Sequence, residues 1–260
     1  MIFIGESLWN SNKLHLEKDM ALILHIETAT PVCSASLSRD GTLLDLRETN
    51  DPRSHATRLS PFIEQLMKSN NLSYDNLDAV SISLGPGSYT GLRIGVSTAK
   101  GIAYGAGLPV IGISTLQALA NRVVKEKADI LGEEAKILLC PMLDARRMEV
   151  YSAFFTIDLE LKREVKADII ESDSYRDYLN PGPVYFFGNG SEKCKETIRH
   201  NNARYIPDIE SSSQFMIQLA ESAFKKKDFL DTAYFEPFYL KDFIATIPKN
   251  KIIPPQKKKG

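Results

Sequence analysis

The sequence predicts an α/β protein of two lobes, with mixed sheets flanked by helices. Three observations predict it. The chain opens on three strand patterns in a row, the second and third joined at Asp40-Gly41. Strand and helix patterns then alternate, as the crossovers of a parallel sheet require. A second series of strands begins at Ile137, after a charged stretch from Lys125 to Lys136.

Taken in order, Met1 to Asp19 lack the basic start, apolar core and small-residue cleavage site of a signal peptide. Met20 directly precedes an apolar strand, so 1–19 is expected to be a disordered leader or an over-long gene start. Leu22 to Ile26 is continuously apolar, as in a strand buried on both faces. Val32 to Ser38 alternates, and Asp40-Gly41 turns the chain into Thr42 to Arg47. From Ser54 a helix carries Leu59, Phe62, Ile63, Leu66 and Met67 at spacings of three and four. Pro61 inside it predicts either a new start at Ser60 or a kink. Val80 to Leu84 is the next strand, and Ser88 or Thr90 caps a helix running to about Tyr104. Leu108 to Ile113 is another strand, and Ser114 or Thr115 caps a third helix with Leu116, Leu119, Ala120 and Val123 on one face.

The second series reads as strands Ile137 to Leu143, Met148 to Ile157 and Leu161 to Ile170, then a short helix from Ser172 to Leu179. Val184 to Phe187 is a buried strand ending at Gly188-Asn189-Gly190, and helices are expected after Ser191 and over Ser213 to Lys226. Pro237 to Leu240 is a short extended piece. The expected domains are 20–115 for the N-terminal lobe and 116–242 for a smaller C-terminal lobe, with 243–260 a basic disordered tail. The order β-β-β-α-β-α-β-α, a meander leading into parallel strands, is that of the actin/Hsp70/sugar-kinase fold. That analogy licenses no chemistry by itself.

Composition narrows the function classes. The 260 residues are 43% apolar and 25% charged, ordinary for a globular protein, with a formal net charge of -1. Such a balance gives no global reason to expect nucleic-acid binding or attachment to a membrane surface. Cys33, Cys140 and Cys194 form no CxxC pair and read as reduced cysteines of a cytoplasmic protein. No apolar run reaches membrane-spanning length.

The chemistry, if any, lies in Gly85-Pro86-Gly87-Ser88-Tyr89-Thr90-Gly91 and the helix behind it. A strand, a glycine turn and a helix N-terminus expose backbone amides suited either to an anion or to close backbone packing. A P-loop needs Gly-Lys-Ser/Thr, which is absent from the sequence. In a dinucleotide fingerprint Thr90 would stand at the third glycine, and in a nucleophile elbow Pro86 would stand at the first. The weak nucleotide candidates that remain are Gly85, Gly87 and Ser88, with Glu27 and Thr28 at the end of the opening strand. An active ATPase of this fold usually has an aspartate followed closely by glycine there. Here Glu27 is longer and Ala29 carries a side chain, so the segment reads as a polar strand end capped by Thr28 or Thr30.

Gly91, Gly95, Ala99 and Ala103 recur every four residues as a smooth ridge. A glycine inside a helix costs about 1 kcal/mol relative to alanine, so close packing must compensate, either on the chain's own sheet or on a partner. His55 has Leu59, not a second histidine, four residues on, so it reads as a cap or packing residue instead of a metal ligand. Asp144-Ala145-Arg146-Arg147 reads as a hairpin turn.

At these residues the sequence resembles the YeaZ/TsaB family, which acts in making the threonylcarbamoyladenosine modification of tRNA. The carriers are Gly85 to Gly95 with Ala99-Lys100-Gly101 behind, Ile26 to Thr30, the His55 helix, Asp144-Ala145-Arg146 and Pro237 to Leu240. Thr57 and Ser60 depart from the family's usual glutamate and leucine. The resemblance implies a fold without catalytic or metal site, which binds and activates a larger paralogue, TsaD, that modifies tRNAs reading ANN codons. It implies pairing through the first two helices of the N-terminal lobe, with His55, Leu59, Phe62, Ile63, Leu66, Gly91, Arg93, Gly95 and Ala99 at the interface. It further implies no cofactor bound by the chain alone, ATP or ADP at the heterodimer interface, a TsaE-like ATPase in the complex, indirect contact with tRNA, and a homodimer as an alternative pairing. The other functions weighed are an ATP-dependent phosphotransferase of the same fold and a glycoprotein endopeptidase. Nothing in the sequence builds a peptidase site.

Overall fold

The computed structural model describes residues 21–51, 54–132 and 136–240. The expected leader 1–19 and the basic tail 243–260 lie outside the described residues.

The first sheet has the order β3-β2-β1-β4-β5. Its strands are β1 (Leu22–Glu27), β2 (Cys33–Arg39), β3 (Thr42–Thr49), β4 (Ala79–Gly85) and β5 (Val110–Ser114). β1 pairs antiparallel with β2 and parallel with β4, so the meander and the crossovers meet on β1. Positive φ at Asp40 and Gly41 makes the tight β2–β3 turn. Helices α1 (His55–Ser69) and α2 (Tyr89–Ala106) cover one face of this sheet. Leu59, Ile63, Leu66 and Met67 of α1 and Val96, Ala99 and Ala103 of α2 share a core with Leu24, Ile26, Leu37, Val80 and Ile82. α1 runs unbroken through Pro61, with Asn70 at its C-cap. The expected restart at Ser60 does not occur, because the buried stripe continues across the proline while Ser60 and Pro61 themselves face solvent.

The second sheet has the order β10-β9-β6-β7-β8. Its strands are β6 (Leu138–Asp144), β7 (Glu149–Phe155), β8 (Leu161–Ile169), β9 (Val184–Phe187) and β10 (Ala203–Ile206). Read from its other edge, this is the same pattern as the first sheet: an antiparallel meander, then two parallel strands. β10 has no counterpart among the strands expected from sequence. The chain after Ser191 forms a 3-10 turn, Glu192–Cys194, in place of the expected helix, and α4 is reduced to Arg176–Leu179.

Helix α3 (Thr115–Glu126) joins the lobes. Its Leu116, Leu119, Ala120 and Val123 pack on Leu139, Leu143 and Phe155 of the second sheet, while Ala118 packs on the first. The second face of the first sheet, with Ile23, Ala79, Ile111 and Ile113, is covered from far along the chain. The 3-10 turn Ser213–Met216 and α5 (Ile217–Lys226) bring Met216 and Ala220 to it. Beyond α5 the chain bonds to the first lobe through Leu230 N to Val110 O at 2.8 Å and Phe238 N to Leu84 O at 2.8 Å, and its Ala233 O accepts from Lys100 Nζ at 3.3 Å. Within the stretch 116–242, expected as the C-terminal lobe, the chain from Ser213 onward returns to the first sheet and covers its apolar second face together with Ala118 of α3. No described helix is long and apolar enough to cross a membrane.

Candidate functional site

The loop after β1 and the glycine turn after β4 meet. Glu27 is fully buried, and its Oε1 accepts hydrogen bonds from the Ala29 amide at 2.6 Å and from Ser83 Oγ at 2.9 Å. Burial raises its carboxyl to about 7, against the pull of those bonds toward lower values. His25, on the same face of β1, has its Nε2 2.7 Å from Ser38 Oγ. Burial pushes its imidazole down to about 3. Thr28 Oγ1 donates to Gly91 O at 2.9 Å, and Thr30 Oγ1 accepts from the Val32 amide at 3.3 Å, the polar strand end read from sequence.

Gly85, at φ +115°, lets the chain turn out of the sheet, and Ser88 rather than Thr90 is the N-cap of α2, accepting from the Gly91 amide at 3.3 Å. The Ser88 amide donates to Ala29 O at 2.7 Å. A Cβ on Gly87 would overlap the Ala29 carbonyl oxygen, and one on Gly91 the Thr28 carbonyl oxygen. The turn is a site of close backbone packing: the end of β1 lies where a phosphate would approach the helix N-terminus. The structure thus brings Glu27, Thr28, Gly85, Gly87 and Ser88 together, but against one another.

The cleft between the lobes is correspondingly small. Thr30, Pro31 and Val32 of the first lobe face Leu119, Leu143, Asn189 and Ile209 across a cavity of about 30 Å³. That is about the share of liquid volume held by one water molecule, whereas small-molecule sites occupy ~300–1,000 Å³. A wider groove of about 330 Å³ lies outside it, lined by Glu48, Asn50, Arg122, Asp208, Glu210 and Ser212. Its polar groups bond among themselves: Asn50 Nδ2 to the Glu210 carboxylate, Ser212 Oγ to Glu48 at 2.7 Å, and Arg122 Nη1 to Glu210 O at 2.6 Å.

The expected interface residues separate into two groups. Leu59, Ile63, Leu66 and Ala99 lie in the chain's own core, Gly91 and Gly95 are buried under the loop, and His55 is buried with Nε2 2.9 Å from Thr30 O. A Cβ on Gly95 would overlap Thr28 Oγ1 and lie 3.0 Å from Ile82 Cδ1. The ridge of Gly91, Gly95, Ala99 and Ala103 therefore packs internally, and these seven residues are not on the surface of the free chain. Arg93 is exposed, with Nη1 donating to Tyr89 Oη at 2.8 Å, and Phe62 is half-buried.

A different row faces outward. Ser97, Gly101 and Gly105 also recur every four residues, beside Thr90, Arg93 and Tyr104. Tyr104 is 88% exposed, and a Cβ on Gly101 or Gly105 would meet nothing within 4 Å. Helical periodicity shows both rows; the signal that separates them is Tyr104, too large and too open to belong to the packed side. Next to this row the extended piece Pro237 to Leu240 lies against the glycine turn, with the Tyr239 and Tyr89 rings 4.9 Å apart. Asp144 to Arg147 is the expected hairpin turn, with Arg146 and Arg147 at positive φ and Lys193 bonded to Asp144, to Arg147 O and to Glu149 O at the start of β7. Among the described residues, no three His, Cys, Asp or Glu side chains are grouped as a metal site would need.

Comparison with known proteins agrees with this architecture. A family model described as TsaD, tRNA N6-adenosine threonylcarbamoyltransferase, matches residues 49–249. The tRNA threonylcarbamoyladenosine biosynthesis protein TsaB of Escherichia coli is 38% identical over 136 residues, 52% of this chain and 55% of that protein. The chain thus aligns with just over half of the E. coli protein. The TsaB of Haemophilus influenzae is 27% identical over 241 residues, 86% of this chain and 94% of that protein. The solved structure of YeaZ from Pseudomonas aeruginosa superposes with a TM-score of 0.74 at 24% identity, covering 85% of this chain and 100% of that one. The chain belongs to the TsaD family that the matching model describes, among its TsaB/YeaZ members.

Proposed function

We propose that this protein is a non-catalytic subunit that binds and activates a TsaD-like paralogue in threonylcarbamoyladenosine modification of tRNAs reading ANN codons. Family membership supports a role in that biosynthesis. The observation that carries the subunit reading is the outward face of α2. Gly101, in the middle of a helix, has open space where a side chain would go, so the free chain gains nothing from it. Relative to alanine it costs about 1 kcal/mol, which close approach of another helix would offset. The α2 N-terminus, occupied by the chain's own Ala29 carbonyl, argues against a phosphotransferase acting alone. ATP or ADP would sit at the heterodimer interface, a TsaE-like ATPase would join there, and tRNA would be reached through the paralogue. We place the complex in the cytoplasm.

The test is co-purification with the TsaD-like subunit of the same cell. Gly101→Leu is expected to fold as the wild type does and to lose the partner. Retention of the partner by a folded Gly101→Leu contradicts the reading. Calorimetry of the free chain with millimolar ATP checks the second part: no heat of binding is expected, and saturable binding would restore the phosphotransferase.

A further inference from the structure

Four consecutive residues, Glu27 to Thr30, bond to four parts of the molecule. Glu27 Oε1 takes the Ser83 hydroxyl of β4. Thr28 Oγ1 and Ala29 O hold the first turn of α2, through Gly91 O and the Ser88 amide. Thr30 O lies 2.9 Å from His55 Nε2, at the start of α1. Thr30 Oγ1 lies 2.5 Å from Ser211 Oγ, in the segment arriving from the second sheet. The turn itself is tied by Glu27 Oε1, which accepts the Ala29 amide.

The other oxygen of that carboxyl, Oε2, is buried with no hydrogen-bond partner among the described residues. An ionised carboxylate with a buried oxygen that lacks a protein donor is disfavoured, whereas the neutral acid keeps both bonds that Oε1 accepts. We propose that residues Glu27 to Thr30 form a proton-gated latch: with Glu27 neutral the loop fastens the starts of α1 and α2 to the second lobe, and loss of its proton loosens all three attachments together.

On β1 and β2, the strands packed around it, Glu27 is the carboxyl, and Glu27→Gln separates its titration from that of any other group. On β1, His25 is pushed by burial to about 3 and stays neutral. On β2, burial and the nearby Glu27 push the Cys33 thiol to about 11, while Ser34 and Ser36 add only hydroxyls. β4 presents Ser81 and Ser83, and the turn Ser213–Met216 presents Ser213. From α2 come backbone amides and, at the surface, Arg93 engaged with Tyr89; from α1 comes His55. Burial brings the Glu27 carboxyl to about 7, while it moves His25 and Cys33 away from that range.

Hydrogen exchange in the full chain tests the latch, read at the amides of Ser88, Leu92, Thr57, Arg58 and Ser213 from about pH 6 to about pH 8 and corrected for the intrinsic rate. Protection is expected to fall about tenfold across this range and to level off above about pH 7. Glu27→Gln is expected to remove the step. Ser83→Ala is expected to move it to higher pH, because the lost donor favours the ionised form. Thr30→Val is expected to keep the step in α2 and to lose it at the Ser213 amide. A wild-type chain without the step, a step unchanged in Glu27→Gln, or a Ser213 amide indifferent to Thr30→Val overturns the proposal. Should Glu27→Gln fail to fold, a carbon NMR titration of the wild-type Glu27 carboxyl decides: a midpoint near the ordinary 4.5 overturns it equally. The latch is read in the free chain, so its failure is distinct from that of the partner reading, which co-purification reports.

Discussion

Gly95 and Gly101 sit on one helix for opposite reasons. Gly95 lies under Thr28 and Ile82 and has no room for a methyl group, whereas Gly101 faces open space. Gly95→Ala should destabilise the free chain by about 1–3 kcal/mol through overpacking. Gly101→Ala should leave it unchanged or stabilise it by up to about 1 kcal/mol. Urea unfolding of the two variants measures both signs. At Glu27 the residue scale is electrostatic. Its carboxyl sits near 7 when folded against 4.5 in the open chain, so its contribution is complete below about pH 4.5 and lost as pH rises through about 7. His25, brought from 6.5 to about 3, works the other way: its contribution is present above pH 6.5 and lost as pH falls through about 3. Glu27→Gln keeps a neutral group of the same length. Its stability relative to wild type should grow as pH rises from 5 to 8, reaching on the order of 3 kcal/mol, as denaturation at a series of pH values would show.

At the scale of the element, α1 shows what local rules leave unread. The stripe of Leu59, Ile63 and Leu66 is legible from spacing, and these side chains are buried as it predicts. The restart at Ser60 that Pro61 offered is not seen, because burial on both sides of the proline outweighs the hydrogen bond the proline cannot donate. Pro61 faces solvent, so Pro61→Ala should raise stability by about 1–3 kcal/mol, measured by the shift of the urea midpoint. α2 shows the same limit from another side. Its four-residue period is plain in the sequence, but two rows share it, Gly91 to Ala103 and Ser97 to Gly105. Periodicity cannot say which row meets the sheet. The answer lies in a contact across the fold, the Thr28 and Ala29 carbonyls over Gly87 and Gly91.

The whole molecule was the most legible in its strand order. A meander followed by parallel strands predicts the first sheet, and the same order recurs in the second, where weaker patterns hid β10. What no local signal announces is the return of Ser213 onward to the first lobe. Ser213, Met216, Leu230 and Phe238 find their partners at Ser34, Ile23, Val110 and Leu84, each more than a hundred residues away. Between the lobes a small cavity and a polar groove of about 330 Å³ remain, and the outer side of α2 is left as a surface with unexplained glycines. From this follows the function proposed for the molecule: it acts through a face, not a cavity. The most direct measurement is the threonylcarbamoyladenosine content of tRNA from cells depleted of the native protein and supplied with Gly101→Leu. A folded Gly101→Leu should leave the nucleoside near the depleted level, while Gly101→Ala should restore it; full restoration by Gly101→Leu would contradict activation through α2.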